Sequence, residues 1–333
     1  MMGSVDEGAV ELHRMRLRAL SVPGGALDSQ GPHASVNNGE WFDRVAGMSA
    51  ARVGVHDSLI DAHRAAAAGV AQDRKAIVLA GPPGAGKSTV LSGVLGPDAD
   101  KWMVIDADYF KAKLLDQALE DGTFDGFLKP DEVRAFEEAG DRFFPLELAS
   151  LVHEESSLLA VRAREEAIRR GDNIVIDSVL SVPAKAEALG AVLNAAGYSV
   201  RVVDVETSFE ISAARIAARW REQYVAALNG DPDAMLGGRW VPSEYPRVLF
   251  TDDGVTARSR ESARLLAQTC PAVTRYEVHV VEAIDGRPVK ISDLARTHVG
   301  GALVEASLAE TARRAHPGAG RGSQHERPRD VER

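Results

Sequence analysis

Residues Gly81–Ser88, with the sequence GPPGAGKS, have the composition and spacing of a phosphate-binding loop. They fit the pattern G-x-x-x-x-G-K-[ST], in which glycines let backbone N–H groups face phosphate oxygens and a lysine neutralises their charge. The apolar run AIVLA precedes the loop and an amphipathic segment follows it. Because the motif works only between a strand and a helix, this context predicts a nucleotide-binding loop.

Each polar residue of the loop has an expected task towards ATP and Mg²⁺. Lys87 is expected to reach the β- and γ-phosphates, and the Ser88 hydroxyl is expected to coordinate Mg²⁺. Thr89 is expected to support the start of the helix or to contact the α-phosphate. The predicted nucleotide-binding residues are Gly81, Pro82, Pro83, Gly84, Ala85, Gly86, Lys87, Ser88 and Thr89.

Two aspartates, Asp106 and Asp108, follow the next apolar run, WMVI. If both runs are neighbouring parallel strands, their carboxyl ends open on the same crevice of the sheet, where ligands bind. One carboxylate could orient Mg²⁺ through its waters, and the other could accept a proton from an attacking hydroxyl. Spacing alone does not assign these tasks, and either residue could instead cap the helix that follows.

The elements that must position these residues alternate between short β-branched runs and longer amphipathic segments. This alternation predicts an α/β fold, a three-layer P-loop NTPase or kinase with a mostly parallel central sheet and helices on both faces. The expected strands are AIVLAG, WMVID, NIVIDS, SVRVVDVE and YEVHVVEAI. Helices are expected from Lys87 and from Asp131, and over Pro145–Arg170, Pro183–Ala196 and Ser208–Leu228. Leu115–Lys129 is interpreted as a loop on the substrate side.

The domain organisation follows from composition. Residues 1–39 contain a run rich in Gly, Pro, Ser and Asn and are predicted to be a mobile leader. Residues 40–305 form the predicted kinase domain, with one or two helices before the first strand and a lid near 208–250. Residues 306–333 are polar and rich in Arg and Gly, which predicts a disordered tail.

Composition also excludes several classes of function. A formal net charge of -10 and a pI near 5.5 argue against nucleic acid as a partner. The single cysteine, Cys270, rules out an intrachain disulfide, and no G-x-S-x-G elbow supports a serine hydrolase. No apolar run is long enough to span a bilayer, so we expect a cytoplasmic protein that does not bind membranes.

With its phosphate loop, its Asp-x-Asp pair and its later arginines, the chain resembles the zeta toxin family of P-loop kinases over roughly Trp41–Phe250. The resemblance implies that Asp108, at the family spacing from Lys87, is the catalytic base. It also implies a substrate-binding set of Asp106, Asp177, Ser178 and Ser156. The family's third core strand ends in an acid followed by Gly-Thr, whereas this chain has Asp177-Ser178-Val179, which leaves the substrate open.

The resemblance further implies two arginines that neutralise the transferring phosphoryl group. The matching segments are ARIAARWREQY and GGRWVPSEYP, in which Arg219 and Arg239 are the best matches. Arg215 lies one helical turn before Arg219 and is a rival for the same role. Gly237 and Gly238 are expected to give Arg239 a flexible loop that closes over phosphate.

The family resemblance implies an ATP-dependent kinase that transfers the γ-phosphate to a hydroxyl of a UDP-N-acetyl amino sugar, such as UDP-N-acetylglucosamine. Such a phosphotransferase would act as a toxin, and a small antitoxin would dock on the helical region before the first strand. Two alternatives stay open. The acceptor could be another metabolite, a nucleoside or an antibiotic, or the chain could be a non-catalytic ATP-binding switch module.

Overall fold

The computed structural model describes residues 6–43, 45–242 and 244–315. Their strands are β1 (Phe42–Asp43), β2 (Gly47–Met48), β3 (Lys75–Ala80), β4 (Met103–Ile105), β5 (Ile174–Asp177), β6 (Ser199–Thr207), β7 (Val273–Val281), β8 (Val289–Arg296) and β9 (Leu303–Glu305). Seven of them form one sheet in the order β4-β5-β3-β6-β7-β8-β9. The first five of these are parallel, and β8 and β9 add an antiparallel edge.

Helices connect and cover these strands. They are α1 (Glu7–Leu20), α2 (Ala50–Ala66), α3 (Lys87–Leu95), α4 (Ala107–Asp121), α5 (Asp131–Glu138), α6 (His153–Arg170), α7 (Pro183–Ala195), α8 (Phe209–Leu228), α9 (Glu244–Arg247), α10 (Arg258–Thr269) and α11 (Ala306–Ala315). Short 3-10 helices occupy Ser35–Asn37, Gly96–Lys101, Pro145–Val152 and Pro232–Ala234, and a single π-helical turn occupies Phe124–Leu128. The structure therefore has the predicted α/β architecture, with a mostly parallel sheet at its centre.

The sheet is buried on both faces, which explains why its strands are almost continuously apolar. On one face, Ile77 and Leu79 of β3 pack against Val90 of α3. On the other face, Ala76 and Val78 belong to the main core beneath the remaining helices. Successive side chains of a strand point to opposite faces, so a strand covered twice needs apolar residues at every position.

All five predicted strands are present, and the antiparallel edge was not predicted. The outer half of β8, which begins VKI, is exposed, so its sequence lacks the apolar continuity of the central strands. The interpretation of Leu115–Lys129 as a loop is wrong. Helix α4 continues to Asp121, and the π-helical turn after it buries Phe124 and Leu128 in the main core.

The N-terminal segment is folded, which corrects the prediction of a mobile leader over residues 1–39. Helix α1 places Val10, Leu17 and Leu20 in the main core. The Gly- and Pro-rich run after it also packs, because Leu27 is buried there. The apolar residues of α1 recur at helical spacing and need a partner surface, which the sheet-covering helices provide. Residues 1–5 lie outside the described part of the chain.

The C-terminal prediction is also wrong in its boundary. Residues 306–315 form α11 instead of disordered chain, and Ala309 is fully buried against Ala295 of β8. Residues 316–333, which hold the rest of the predicted tail, lie outside the described residues. Among the described helices, none combines the length and apolar character needed to cross a membrane.

Candidate active site

The phosphate loop joins β3 to α3 in a conformation that requires its glycines. Gly81, Gly84 and Gly86 have φ values of 140°, 76° and 88°. A Cβ on Gly81 would lie 2.3 Å from the carbonyl oxygen of Val205, and one on Gly84 would lie 2.9 Å from that of Ser212. The loop is therefore a narrow cradle of bare backbone at the N-terminus of a helix, where N–H groups and the helix dipole attract anions.

Lys87, the first residue of α3, folds back over this cradle. Its Nζ donates to the carbonyl oxygen of Gly81 at 2.8 Å and lies 3.4 Å from Oδ1 of Asp177. Ser88 and Thr89 follow in the first helical turn, and both are exposed. The lysine charge and two hydroxyl groups thus lie at the mouth of the loop, where the sequence predicts phosphate oxygens and Mg²⁺.

Asp106 and Asp177 meet at the same edge of the sheet because their strands are neighbours. Ile105 of β4 pairs with Ile176 of β5, so the next residue of each strand emerges beside the other. Asp106 also caps α4, since its Oδ1 accepts from the backbone N–H of Asp108 at 2.9 Å. Burial, together with the negative charges of Asp108 and Asp177, raises the pKa of Asp106 to about 6.

Asp108 is held by two cations. Its Oδ1 accepts from Nζ of Lys111 at 2.8 Å and from Nη1 of Arg239 at 2.5 Å. Burial works to raise the pKa of Asp108, but the positive charges of Arg239 and Lys111 outweigh it and lower the pKa. Asp108 is therefore ionised at neutral pH, and Arg239 reaches it from a distant part of the chain.

Lys111 is a site residue that the sequence did not reveal. It lies one turn after Asp108 on α4 and is 8% exposed. A lysine on a helix usually extends into solvent, so burial beside a carboxylate could not be inferred from its spacing.

The segment that carries Arg239 is packed, not flexible. A Cβ on Gly237 would lie 2.3 Å from Cβ of Phe144, and one on Gly238 would lie 2.2 Å from the carbonyl oxygen of Trp220. These glycines allow close packing of backbone against the core. The predicted flexible loop is therefore wrong, although Arg239 does reach the site.

Arg215, and not Arg219, lies at the phosphate loop. Nη1 of Arg215 donates to the carbonyl oxygen of Gly84 at 3.2 Å, and Nη2 donates to that of Gly286 at 2.5 Å. Ser212, one turn earlier, donates to the carbonyl of Pro83 at 2.7 Å and fixes which face of α8 meets the loop. Arg219 is exposed on the next turn, so the structure does not support its assignment to this site.

The predicted serines differ in their placement. Ser178 lies at the sheet edge after Asp177, where its Oγ accepts from the N–H of Leu180 at 3.1 Å. Ser156 is fully buried in α6 and donates to the carbonyl oxygen of His153 at 2.8 Å. Ser156 therefore does not face the crevice, and its assignment as a substrate-binding residue is corrected.

Two aromatic side chains lie within electrostatic reach of Asp108 and Arg239. The rings of His153 and Tyr245 lie 6.5 Å apart between centroids. Burial, and then the positive charge of Lys111, lowers the pKa of His153, so its ring is neutral at pH 7. Burial raises the pKa of Tyr245, on which Arg239 and Asp108 also act. Neither residue was predicted to belong to the site, because neither falls in a recognised motif.

Residues 127–284 match the family model described as zeta toxin, which confirms the resemblance seen in the sequence. The match includes Asp177, Arg215 and Arg239 and begins after the phosphate loop and the Asp-x-Asp pair. No curated protein matches the chain.

Solved structures show the same fold at low sequence identity. The complex AvrRxo1-ORF1:AvrRxo1-ORF2 with sulphate ions gives a TM-score of 0.53 at 22% identity, covering 86% of this chain and 79% of that chain. AvrRxo1-ORF1:-ORF2 with ATP gives 0.52 at 18% identity, covering 84% of this chain and 77% of that chain.

Proposed function

On the premise that residues 127–284 carry a zeta toxin domain, we propose that this protein is a kinase that transfers the γ-phosphate of ATP to a hydroxyl of a small molecule. The contact between Asp108 and Arg239, next to the phosphate loop, is the observation that carries the proposal. It joins an ionised carboxylate and a guanidinium in the crevice that Lys87 also faces. The charge of Lys87 acts on Asp108 as well.

The residues present fit ATP with Mg²⁺. The glycines let the loop pack against the backbone of Val205 and Ser212, where any Cβ would clash, and a loop of this conformation at a helix N-terminus suits phosphate oxygens. Asp106 and Asp177 face each other closely enough for their charges to repel, a cost that a nearby divalent cation relieves. Ser88, Asp106 and Asp177 would hold Mg²⁺ directly or through water, and the ion would supply charge neutralisation on the β- and γ-phosphates. The solved complex with ATP supports this nucleotide through its shared fold.

Asp108 is proposed as the base. The acceptor oxygen attacks the γ-phosphorus as the bond from that phosphorus to the β–γ bridging oxygen breaks, ADP leaves, and the acceptor's proton passes to Asp108. Arg239 and Lys87 neutralise the three equatorial oxygens of the transferring group. A planar guanidinium can exchange a carboxylate partner for a phosphate with little rearrangement. Arg239 can therefore pair with Asp108 before ATP binds and with the γ-phosphate afterwards.

The acceptor is proposed to be a UDP-N-acetyl amino sugar such as UDP-N-acetylglucosamine, on the strength of the zeta toxin match. One local feature supports a second class of acceptor. Val179 stands where the family has a substrate-contacting threonine, and it packs against the apolar cluster of Leu249, Phe250 and Ala257. A valine side chain has no group that can hydrogen-bond to a substrate as the threonine does, so another metabolite, a nucleoside or an antibiotic is the alternative acceptor.

A small antitoxin is the proposed protein partner, and the protein would then be the toxic component of the pair. The family description supports this assignment, and the solved relatives of the same fold are complexes of two different chains. No membrane or nucleic-acid partner is proposed, and the cytoplasm is the proposed location.

Metabolite mass spectrometry after controlled expression tests the function. Wild type should produce a compound one phosphate heavier than a cellular metabolite, and Lys87→Ala should not. A phosphorylated UDP-N-acetyl amino sugar would identify the proposed acceptor, and a different phosphorylated product would select the alternative class. Identical metabolite profiles for both proteins, with ATP binding retained by wild type, would contradict the kinase assignment.

A further inference from the structure

The N-terminal segment is connected to Arg239 by a continuous series of buried contacts. Arg239 belongs to residues 236–242, which form neither helix nor strand. Contacts with other parts of the chain therefore fix the position of this stretch. Two backbone hydrogen bonds hold this stretch to the 3-10 helix at Pro145–Val152: Leu146 donates to Leu236 at 2.9 Å, and Trp240 donates to Leu146 at 3.2 Å.

Trp240, the residue after Arg239, reaches α1 directly. Its indole Nε1 donates to Oγ of Ser21 at 2.9 Å, and the side chain is 6% exposed. Ser21 is the C-cap of α1, and its hydroxyl donates in turn to the carbonyl oxygen of Leu17 at 2.7 Å. The bond to Leu17 orients the serine hydroxyl, so that a lone pair of its Oγ accepts from the indole N–H.

Trp240 also contacts Trp220, which forms the second connection. The two rings lie 5.4 Å apart at an angle of 79°, an edge-to-face arrangement. Trp220 is 1% exposed, and its carbonyl oxygen is the atom that forbids any side chain on Gly238. Its indole Nε1 donates to Oε1 of Glu147 at 2.9 Å, so Trp220 is fixed on both sides.

Glu147 and His13 bring α1 into this network. Glu147 is fully buried and accepts from Nε2 of His13 at 2.9 Å and from the backbone N–H of Phe144 at 2.9 Å. Nδ1 of His13 lies 3.1 Å from Oδ2 of Asp141. Burial opposes protonation of His13, but Glu147 and Asp141 outweigh it and raise its pKa. A protonated ring donates to both carboxylates at once.

We propose that Ser21 and Trp240 are positioning residues that hold Arg239 at Asp108, and that the N-terminal segment is thereby part of the catalytic apparatus. This inference rests on the proposed function for its kinetic consequences. The structural part of the inference, that the bond from Trp240 to Ser21 fixes residues 236–242, does not depend on the proposed function. Small displacements of a catalytic group, on the order of 1 Å, can cost about 100-fold in rate.

Two conservative variants isolate the contact. Trp240→Phe keeps a ring against Trp220 and removes the indole N–H, and Ser21→Ala removes the acceptor. A matched control is Ser150→Ala, because Ser150 also ties the N-terminal segment to the body of the protein, through a 2.7 Å bond to the carbonyl of Leu27. Ser150 has no described contact with Arg239 or its flanking residues.

The test combines a double-mutant cycle with amide hydrogen exchange of the full chain. With ATP and UDP-N-acetylglucosamine, or by ATP hydrolysis alone, Ser21→Ala should lower kcat about 10-fold or more with little change in KM for ATP. In an Arg239→Ala background, Ser21→Ala should have almost no further effect, because the group it positions is gone. Residues 236–242 should exchange faster in Ser21→Ala and Trp240→Phe than in wild type or Ser150→Ala.

The outcomes separate this inference from the proposed function. If wild type transfers phosphate and the two substitutions are additive, with unchanged exchange at residues 236–242, the positioning role is wrong and the kinase stands. If wild type has no activity, exchange alone decides: faster exchange at residues 236–242 supports the positioning role, and unchanged exchange overturns it. A fall in kcat for Ser150→Ala equal to that for Ser21→Ala would also overturn it.

Discussion

Asp108 and Arg239, which lie 131 positions apart in the chain, meet through one contact of 2.5 Å between Oδ1 and Nη1. Lys111 contacts the same carboxylate oxygen. The proposed base is thus held ionised and fixed in orientation before any ligand arrives. Because the γ-phosphate of ATP would compete with Asp108 for the guanidinium, nucleotide binding would release the carboxylate for its role in proton transfer.

The two arginines favoured by the sequence should behave differently when replaced. Arg239→Ala should lower kcat for phosphoryl transfer by about 10³-fold, since an arginine on a transferring phosphoryl group contributes on that order. Arg219→Ala removes an exposed side chain on α8 and should leave kcat within about twofold. Steady-state transfer rates for both variants check this. Equal losses would show that the helix presents Arg219 to phosphate during turnover.

Arg215 should affect nucleotide binding more than chemistry. Its guanidinium joins the phosphate loop at Gly84 to the carbonyls of Ile284 and Gly286, so its removal frees both loops. We expect Arg215→Ala to weaken ATP binding about 10-fold, because part of the free energy of binding then goes into ordering the loops. Calorimetric titration with ATP measures this, with Arg219→Ala as the control. An unchanged affinity would argue against the role of Arg215 in shaping the loop.

Activity should depend on pH through Asp106. Burial and the nearby carboxylates raise its pKa to about 6, so it becomes protonated as pH falls through that value, while Asp108 has a lowered pKa and stays ionised. We expect activity to fall as Asp106 becomes protonated, at a pH below about 6, because Mg²⁺ held near Asp106 lowers its pKa from that value. Asp106→Asn keeps the oxygen that caps α4 and removes the titrating group, so its lower activity should vary little between pH 5 and 8. A full acidic limb in this variant would assign the titration to another group.

Stability should depend on pH through a buried acidic pair outside the site. Burial, and then the charge of Glu206, raises the pKa of Asp204 to about 9 from a usual value of 3.8. The folded state therefore binds this proton more tightly than the unfolded state, and the resulting stability is lost as pH rises from about 4 towards 9. Arg260 and Tyr276 partly offset the shift.

Replacing the acid tests that assignment. Asp204→Asn keeps the shape of the side chain without its charge. When the pH rises from about 5.5 to about 8.5, the variant should lose less stability than wild type does. Urea unfolding at both pH values measures the difference, and the exposed Asp285→Asn serves as the control. Equal pH dependence for Asp204→Asn and wild type would show that Asp204 does not titrate in this range.

The phosphate loop and the central strands could be predicted because their signals are local. The sequence GPPGAGKS specifies its own backbone geometry, and apolar runs such as AIVLA must be buried on both faces wherever they lie. The Asp-x-Asp pair was also found in this way. The capping role left open for Asp106 is real, and it coexists with a position in the crevice.

The other site residues could not be predicted from the local sequence, because their positions depend on contacts with distant parts of the chain. Burial of Lys111 follows from packing around α4, and helical spacing places Arg215 and Arg219 on the same face without fixing how α8 is rotated. The bond from Ser212 to Pro83 fixes that rotation. The N-terminal segment was predicted to be mobile from its Gly- and Pro-rich run, whereas core packing and long-range contacts, such as that between His13 and Glu147, which lie 134 positions apart, hold it in place.

The central claim is that Asp108 serves as the base for phosphoryl transfer. Its most direct test compares wild type with Asp108→Asn for transfer of labelled γ-phosphate. ATP affinity is measured on the same samples. We predict that the variant binds ATP about as well as wild type and loses at least about 10²-fold in transfer. Retained transfer in Asp108→Asn, or a wild type that binds ATP and transfers nothing to any acceptor tested, would contradict the account, and the latter result would favour an ATP-binding switch.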